Sequence, residues 1–367
     1  MNFGFTEEQD LLRQEVRKLL DASCDGDEVR RLGDTPEGHS KALWKQIAEL
    51  GWVGLTIPEA HGGAGLGWVD LVVLLEETGR SLFPSPLLAN TIAAKAIAEA
   101  GSEAQQARWL PALADGSSIA TLAVVEASDR PGPDGVALAG EPDGAGFRLS
   151  GEKRFAIDAG NADLLVVAFR APAGIRLAVV PADAPGVSIA ATPSMDATKR
   201  MGDVRLDGVA VGADAVLENA PLERILDLAT AAVTAEMVGA AEGAVQLTVE
   251  FAKQRIQFGK PIGQFQGVKH PLAEMYVDVE SFKSLVYYAA WALDEGHPDA
   301  PRAVSMAKAY ASDAFARIGI DAVQLHGGVG YTWEYDAQLY LKRSKWARPI
   351  YGDAAFHYER VASLGGL

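Results

Sequence analysis

Cysteine is almost absent: Cys24 is the only one in 367 residues. One cysteine excludes an intramolecular disulfide and a zinc site built from several cysteines. The six histidines include no pair at metal-ligand spacing on one helix, so no metal site is expected. The sequence also lacks a glycine-rich dinucleotide fingerprint, a phosphate loop ending in Gly-Lys-Ser/Thr and a Gly-x-Ser-x-Gly elbow. These absences exclude the commonest metal, nucleotide and serine-hydrolase sites.

Basic residues are in deficit, with 33 Lys and Arg against 49 Asp and Glu and a formal net charge of −16. Such a surface is unsuited to general binding of nucleic acid or acidic membranes, so an anionic ligand must meet a local basic patch. No uninterrupted apolar run reaches the roughly 18–20 residues that a membrane span needs. Residues 1–8 lack the basic and apolar regions of a signal peptide. We therefore expect no nucleic acid partner, no membrane span and a cytoplasmic location.

The hydrophobic pattern divides the chain into three parts. The first ~115 residues show helical periodicity, and Thr6 with Gln9 forms a capping box at the first helix. From about Ser118, short β-branched segments alternate with Gly, Pro and Asp turns. Long helical segments return from about Ala220. We expect a mainly α protein with a small central β-domain, a barrel or sandwich, divided into an N-terminal helical domain (1–117), a middle β-domain (118–216) and a C-terminal long-helix bundle (217–367).

The predicted elements can be given by residue number. The strands of the middle domain are expected at 119–126, 146–150, 164–169, 175–181, 187–191 and 204–209. The helices of the bundle are expected at 221–254, 265–293, 300–324, 332–346 and 353–362. Their lengths are typical of a bundle that buries helix faces against other subunits.

Three segments of the C-terminal part could bind an anion. Gly327, Gly328 and Gly330 end a long helical pattern, and their bare amides suit a phosphate as well as they suit a plain helix stop. Arg255 ends another helix, where it either complements the helix dipole, worth about 0.3–1 kcal/mol, or points a planar fork at a pyrophosphate. Four cations within residues 342–348 form either a solvated helix face or a local anion site.

Together these segments resemble one family, the flavin-dependent acyl-CoA dehydrogenases, over essentially the whole chain. Each segment is a weak signal alone, but seven occur in the family's order on a helix–β–helix plan. They are Phe5-Thr6-Glu7-Glu8-Gln9, Pro58-Glu59 followed by Gly62-Gly63-Ala64-Gly65, Val125-Glu126-Ala127-Ser128, Gly151-Glu152-Lys153-Arg154-Phe155, Arg255-Ile256-Gln257-Phe258-Gly259-Lys260-Pro261-Ile262, Phe265-Gln266, and Gln324-Leu325-His326-Gly327-Gly328-Val329-Gly330-Tyr331.

The resemblance implies FAD as cofactor, an acyl-CoA substrate and an electron-transfer flavoprotein as acceptor. It implies a homotetramer, or a mixed tetramer with a related subunit, in which FAD lies between the β-domain and the bundle. Asp227 would contact the pantetheine arm of CoA. The residues expected to bind FAD are Arg255, Phe258, Ile262, Gln324, Gly327 and Gly328, partly for a neighbouring subunit, with Val124, Val125 and Phe155 beside the flavin ring.

The catalytic base is where the chain departs from the family. The family's usual base is a Glu in Tyr-Glu-Gly-Thr, and this chain has Tyr351-Gly352-Asp353. Alignment on the tyrosine puts the base at Gly352, whereas alignment on Arg360 puts it at Asp353. Asp353 is therefore the candidate base, although Gly-Asp before Ala-Ala is also a helix N-cap signature. The family's alternative base position, on the first long C-terminal helix, is Ala229, which has no carboxylate.

Other departures affect the flavin and CoA contacts. Val125 and Ile157 replace hydroxyl-bearing residues of the family, and Thr230 replaces an Arg. Such departures resemble divergent members that act on bulky, ring-bearing or dicarboxylic acyl-CoAs. The sequence predicts dehydrogenation of an acyl-CoA to the 2-enoyl-CoA. Two alternatives remain: a non-catalytic subunit of a mixed tetramer, and a flavin oxidase of the same fold acting on a substrate without CoA.

Overall fold

A computed structural model describes residues 4–217 and 221–367. Residues 1–3, part of the N-terminal segment predicted to contain no signal peptide, lie outside the described residues. Ala220, near which the long helices were predicted to begin, also lies outside them. The order of helical, β and helical parts agrees with the expected fold class. The boundaries 1–117, 118–216 and 217–367 stay a prediction.

The N-terminal part is helical. Its first helix begins at the predicted capping box, where the Gln9 amide donates to Thr6 Oγ1 at 3.3 Å and Gln9 Oε1 accepts from the Thr6 amide at 3.0 Å. The second helix was not predicted, because only Val29 and Leu32 mark its buried side. The helices are α1 (Glu7–Ser23), α2 (Gly26–Gly33), α3 (Lys41–Glu49), α4 (Trp68–Arg80), α5 (Leu87–Ala100) and α6 (Glu103–Ala114).

The middle part is one mixed sheet, in which eight strands pair among the described residues. The strands are β1 (Ala120–Ala123), β2 (Ala139–Asp143), β3 (Gly146–Ile157), β4 (Leu164–Ala171), β5 (Gly174–Pro181), β6 (Val187–Thr192), β7 (Met201–Val211) and β8 (Val216–Leu217). Their order is β6-β7-β3-β2-β4-β5-β8, and β1 pairs parallel to β4. Strand β2 was missed, because its Glu-Pro-Asp sequence is typical of a turn.

Strand β3 is longer than predicted and carries part of the candidate site. It runs to Ile157 instead of residue 150, with register shifts against β7 between Leu149 and Gly151 and between Lys153 and Ala156. These irregularities interrupt the alternating pattern that the prediction relied on. Leu165, Val167 and Phe169 of β4 are fully buried at the centre of the sheet's core.

The C-terminal part consists of long helices and a short hairpin. They are α7 (Leu222–Gln254), β9 (Ile256–Gln257), β10 (Lys260–Pro261), α8 (Gln266–Asp294), α9 (Ala300–His326), α10 (Ala337–Ala347) and α11 (Ala354–Leu364). Helix α10 begins five residues later than predicted, because a 3-10 turn at Gly327–Tyr331 and a short loop precede it.

The chain packs as two compact units. One contains residues 4–31, Trp68–Phe83 and Thr230–Leu367, and the other contains Leu32–Gly67 with residues 84–217 and 221–229. Helix α7 is long and apolar enough to meet the length and composition criteria for a membrane span. However, 94% of its most apolar window is buried inside the protein, as expected of a core helix.

Candidate active site

The first site region lies in the bundle, where the ends of α7 and α9 meet. The rings of Phe251 and His326 stack there with centroids 4.3 Å apart. This contact brings the segment after α7, which starts at Arg255, close to the segment at the end of α9, which contains Gln324. Both of these side chains are exposed. Two of the predicted FAD-binding segments therefore belong to one surface region.

The hairpin after α7 exposes an aromatic side chain to solvent. Phe258 occupies the turn with φ of +52° and is 92% exposed. Its ring meets Phe265 edge to face at 6.0 Å, and the Ile262 amide closes the hairpin by donating to Arg255 O at 2.9 Å. A large exposed aromatic side chain is typical of a surface that binds a ligand or another protein.

The glycine turn (Gly327–Tyr331) exposes bare backbone. Gly327 has φ of +67°, and a Cβ added at Gly327 or Gly328 would meet nothing within 4 Å. At Gly330, in contrast, a Cβ would lie 2.7 Å from His326 Cβ, so this glycine serves packing. An exposed guanidinium, an exposed amide side chain and open backbone suit the phosphates of FAD, the cofactor that the resemblance implies.

His326 is the buried residue beneath this turn. Its ring makes one hydrogen bond, from Nδ1 to Ala322 O at 2.7 Å, so Nδ1 carries the proton. Burial lowers its pKa, which keeps the ring neutral at neutral pH. Nε2 is buried and has no hydrogen-bond partner within residues 4–217 and 221–367. The ring therefore packs as an aromatic group against Phe251.

The second site region lies in the other unit, at the end of β1. Buried Lys153 donates to Val124 O at 3.1 Å and to Glu126 Oε1 at 2.6 Å. The Glu126 carboxylate also accepts from the amides of Ala137 and Leu138 at 3.0 and 2.9 Å. Burial lowers the pKa of Lys153, while the Glu126 carboxylate opposes that shift. The sequence motif contained this ion pair, but sequence reasoning gave it no role.

Phe155 offers a flat surface close to this loop. It has φ of +55° and is 41% exposed, and its amide donates to Asp203 Oδ1 at 3.1 Å. The Arg154 guanidinium lies 5.2 Å from the centre of its ring, and the Arg154 amide donates to Val125 O at 2.8 Å. A fixed aromatic face beside ordered backbone suits a planar ring system such as isoalloxazine.

The buried neighbour Ile157 is 3% exposed. It offers no hydroxyl group at the position where the family usually has one. Contact with a flavin in this region therefore depends on backbone and on the Phe155 ring.

Asp353 begins the last helix. Its Oδ1 accepts from the Phe356 amide at 3.0 Å, so the carboxylate is the N-cap of α11. Asp353 is exposed, and its Oδ2 accepts no hydrogen bond from the described residues. The predicted capping geometry is present, and one carboxylate oxygen is left for other partners.

The residue before it cannot carry a side chain in this backbone. Gly352 has φ of +111°, and a Cβ there would lie 2.4 Å from Phe356 Cδ1 and 2.9 Å from His357 Nε2. The alignment on Tyr351 would place the base at position 352, where the backbone and the neighbouring side chains leave no room for a carboxylate side chain.

The predicted CoA contact and its neighbours lie on α7. Asp227 is 3% exposed and Ala229 is fully buried. Thr230 O accepts from Thr234 Oγ1 at 2.6 Å, a hydrogen bond inside the helix. In this conformation Asp227 presents little of its surface to a ligand.

Three of the four cations at residues 342–348 have separate partners. Lys342 Nζ lies 4.2 Å from the centre of the Trp333 ring. Buried Arg343 contacts Glu236 at 3.2 Å, and Arg348 contacts Asp313 at 2.9 Å. Because Lys342, Arg343 and Arg348 contact different partners, these three cations do not converge on one anion site.

Sequence reasoning missed two buried groups behind Asp353. Lys308 on α9 is fully buried and contacts the segment before α11, and His357 on α11 is buried beside it. The available signal was a single lysine within an otherwise small and apolar helical stripe, because such a lysine needs buried partners.

Comparisons with known proteins show the family of this chain. Residues 6–117 match the family model of the acyl-CoA dehydrogenase N-terminal domain, and residues 210–364 match that of the C-terminal domain. Acyl-CoA dehydrogenase IpdE2 of Mycobacterium tuberculosis is 32% identical over 92% of this chain and 91% of its own length.

Solved structures give the same result. A variant of the Tcur3481-Tcur3483 steroid acyl-CoA dehydrogenase has a TM-score of 0.91 and 34% identity, covering 98% of both chains. The ChsE4-ChsE5 complex of Mycobacterium tuberculosis has a TM-score of 0.92 and 30% identity, covering 99% of this chain and 98% of that one. The chain therefore belongs to the acyl-CoA dehydrogenase family, and it is an FAD-dependent acyl-CoA oxidoreductase.

Proposed function

We propose that this protein dehydrogenates an acyl-CoA thioester between its α- and β-carbons, and that Asp353 removes the α-proton. The observation that carries the proposal is the Asp353 carboxylate at the start of α11. One oxygen is fixed by the Phe356 amide, and the other accepts no hydrogen bond from the described residues. A base needs this combination of a fixed orientation and a free lone pair.

The chemistry requires a positioned base, because a thioester α-proton is too weakly acidic to be lost to water at a useful rate. Bound FAD supplies the acceptor for the hydride that leaves the β-carbon. The Asp353 carboxylate takes the α-proton on Oδ2, while the Oδ1 contact to the Phe356 amide holds the side-chain rotamer. The product is the 2-enoyl-CoA.

The exposed groups of the bundle are our candidates for holding FAD. We assign Arg255 and Gln324 to its phosphate and ADP part, the open amides of Gly327 and Gly328 to the same part, and Phe258 to covering an exposed ring or ribose. Ile262, which closes the hairpin, orients Arg255 through its backbone. Val124, Val125 and Phe155 are assigned to the flavin ring, and Asp227 to the pantetheine arm.

Assembly is part of the proposal. Phe258 at 92% and Trp333 at 72% exposure are large apolar surfaces that an oligomer would cover. We propose a tetramer, built from this chain alone or with a related subunit, that passes electrons to an electron-transfer flavoprotein. The similar ChsE4-ChsE5 structure is a complex of two different proteins, which supports the mixed form.

The activity is tested with the purified chain under anaerobic conditions. Its visible spectrum is recorded, and linear, ring-bearing and dicarboxylic acyl-CoAs are then added one at a time. We expect a yellow protein whose flavin absorbance at least one acyl-CoA bleaches. A colourless protein that gains flavin only with a related subunit would identify a partner subunit. A yellow protein that no acyl-CoA bleaches would point to a substrate without CoA.

The role of Asp353 is tested with Asp353→Asn. Asparagine caps helices about as well as aspartate, so this variant keeps the fold and removes only the base. We expect a fall of about 10²- to 10⁴-fold in the limiting rate of flavin bleaching, the usual contribution of a general base. Asp25→Asn, where the carboxylate accepts from the Glu28 amide at 2.9 Å at the start of α2, is the matched control. An unchanged rate in Asp353→Asn would remove Asp353 from this role.

A further inference from the structure

Lys308 is the feature of the bundle that the proposed chemistry does not yet use. It lies in the middle of α9, is fully buried and has no carboxylate within ion-pair distance among the residues described. Its Nζ donates to Ser312 Oγ at 3.1 Å and to three backbone carbonyls, those of Ala347 at 3.2 Å, Arg348 at 2.8 Å and Gly352 at 3.0 Å.

The three carbonyls belong to one segment, which we call the Asp353 turn (residues 348–353, with the preceding Ala347). Ala347 O and Arg348 O lie at the C-terminus of α10, where helix carbonyls lack partners and carry partial negative charge. Gly352 O directly precedes the Asp353 cap. One ammonium group therefore binds both ends of the turn, and its three protons are shared among four acceptors.

The turn needs such fastening because its backbone is strained. Tyr351 has φ of +57° and Gly352 has φ of +111°, so two successive residues lie in the left-handed region, one of them with a side chain. Such conformations persist where the surroundings hold them, and they occur often at functional sites. Lys308 stabilises this conformation through its hydrogen bond to Gly352 O.

His357 also stabilises the turn, through a hydrogen bond to the preceding carbonyl, that of Tyr351. Its Nε2 lies 3.2 Å from Tyr351 O, and its Nδ1 lies 3.3 Å from Ser305 Oγ. A carbonyl can only accept, so Nε2 carries the proton and Nδ1 accepts from the Ser305 hydroxyl. The Arg360 guanidinium donates to the same hydroxyl oxygen at 3.0 Å, which leaves that hydroxyl free to donate to His357.

The charges around Lys308 complete the arrangement. Burial lowers the pKa of Lys308 to about 7, with the Asp353 carboxylate raising it and the Arg348 guanidinium lowering it. Burial likewise lowers the pKa of His357 to about 3, helped by Lys308 and Arg360. His357 is thus neutral, and Lys308 bonds to three of the turn's carbonyls, as an ammonium group below about pH 7.

We propose that Lys308 is a positioning residue for Asp353: its buried ammonium fastens the strained turn that presents the carboxylate to the substrate's α-carbon. This inference rests on the proposed function of Asp353. Lys308 touches neither substrate nor cofactor in this role. It acts by fixing where the carboxylate stands, and displacement of a reacting group by about 1 Å can cost about 10²-fold in rate.

A double-mutant cycle on the FAD-loaded protein tests this role. Lys308→Met, Asp353→Asn, the double variant and the exposed-lysine control Lys45→Met are compared by flavin content, half-saturating acyl-CoA concentration and limiting rate of flavin bleaching. We expect Lys308→Met to lower the limiting rate by about 10- to 100-fold with little change in the other two quantities. If Lys308 acts only through Asp353, the double variant is no slower than Asp353→Asn.

The outcomes separate this inference from the proposed function. A normal rate in Asp353→Asn would defeat the assignment of the base. A slow Asp353→Asn with a normal Lys308→Met would defeat only the role of Lys308. A double variant slowed by the full product of both factors would also overturn it, because Lys308 would then act on the whole site. Lys308→Gln serves as second variant, and loss of folded flavoprotein in both would overturn the positioning role in favour of a general structural one.

Discussion

Two turns of the bundle, both at helix ends, differ in how they are held. Buried Lys308 and His357 form hydrogen bonds to the backbone of the Asp353 turn, and a side chain at Gly352 would collide with Phe356. The glycine turn is open, and a Cβ at Gly327 or Gly328 would meet nothing within 4 Å.

The difference follows from what each turn has to do. A carboxylate that removes a proton must stand at a fixed place before the substrate arrives, so its turn is built into the core. A surface that accepts a large cofactor has to stay uncovered until the cofactor binds, so its backbone is bare and its aromatic side chains are exposed.

The largest effect on stability is expected from adding a methyl group to the Asp353 turn. Gly352→Ala places a Cβ 2.4 Å from Phe356 Cδ1 at φ of +111°. We expect a loss of about 2–4 kcal/mol in the free energy of unfolding, from backbone strain and overpacking together. Urea denaturation at saturating FAD measures it. A loss below about 1 kcal/mol would mean that the turn yields easily and is not fastened.

The buried ammonium gives the second largest effect, and it depends on pH. The pKa of Lys308 is about 7 in the folded protein against an ordinary value of 10.5, so between these values the unfolded chain binds more protons. The stability of the wild type relative to Lys308→Met therefore rises with pH, by about 1.4 kcal/mol per pH unit. Between pH 7 and 9 the difference grows by about 2–3 kcal/mol.

Urea denaturation of both proteins at several pH values checks this expectation. Lys45→Met, which removes an exposed lysine, is the control and should show no such dependence. A difference that stays flat or falls with rising pH would contradict the lowered pKa of Lys308 in the folded protein.

The cap at Asp353 has a smaller effect on stability. Asp353→Ala removes the oxygen that accepts from the Phe356 amide, so it should lower the free energy of unfolding by about 0.5–2 kcal/mol. Asp353→Asn keeps the cap and should change it by less than about 0.5 kcal/mol. Equal losses in both variants would show that the charge of Asp353, not its capping oxygen, stabilises α11.

The open surface should show the smallest effects on stability. Phe258→Ala removes a side chain that is 92% exposed, and Gly328→Ala adds a methyl group to open space. Each should change the free energy of unfolding of the flavin-free chain by less than about 0.5 kcal/mol. Flavin content after purification should fall in both. Unchanged flavin content would remove these residues from the proposed FAD surface.

The comparison also separates what the sequence predicts from what it does not. The glycine turn and the segment after Arg255 are local motifs, so a few neighbouring residues predict where they lie along the chain. The cap at Asp353 is equally local, since a Gly-Asp before two alanines is enough to indicate it. The fold class follows from periodicity, because long helices and alternating strands extend over many residues.

The fastening of the Asp353 turn is not local. Lys308 is 44 residues from Gly352 along the chain, and Ser305 is 52 residues from His357. Their meeting depends on how α9 packs against α10 and α11, which no short pattern encodes. The dispersal of Lys342, Arg343 and Arg348 has the same origin, because each contacts a different part of the chain.

The most direct test of the function is a single-turnover measurement. The purified yellow protein is mixed anaerobically with the acyl-CoA that bleaches it fastest. Reduced flavin is measured by absorbance and the CoA esters by mass spectrometry. We expect a 2-enoyl-CoA, two hydrogens lighter than the substrate, in amounts equal to the reduced flavin. Bleaching without an equimolar enoyl-CoA product would contradict it.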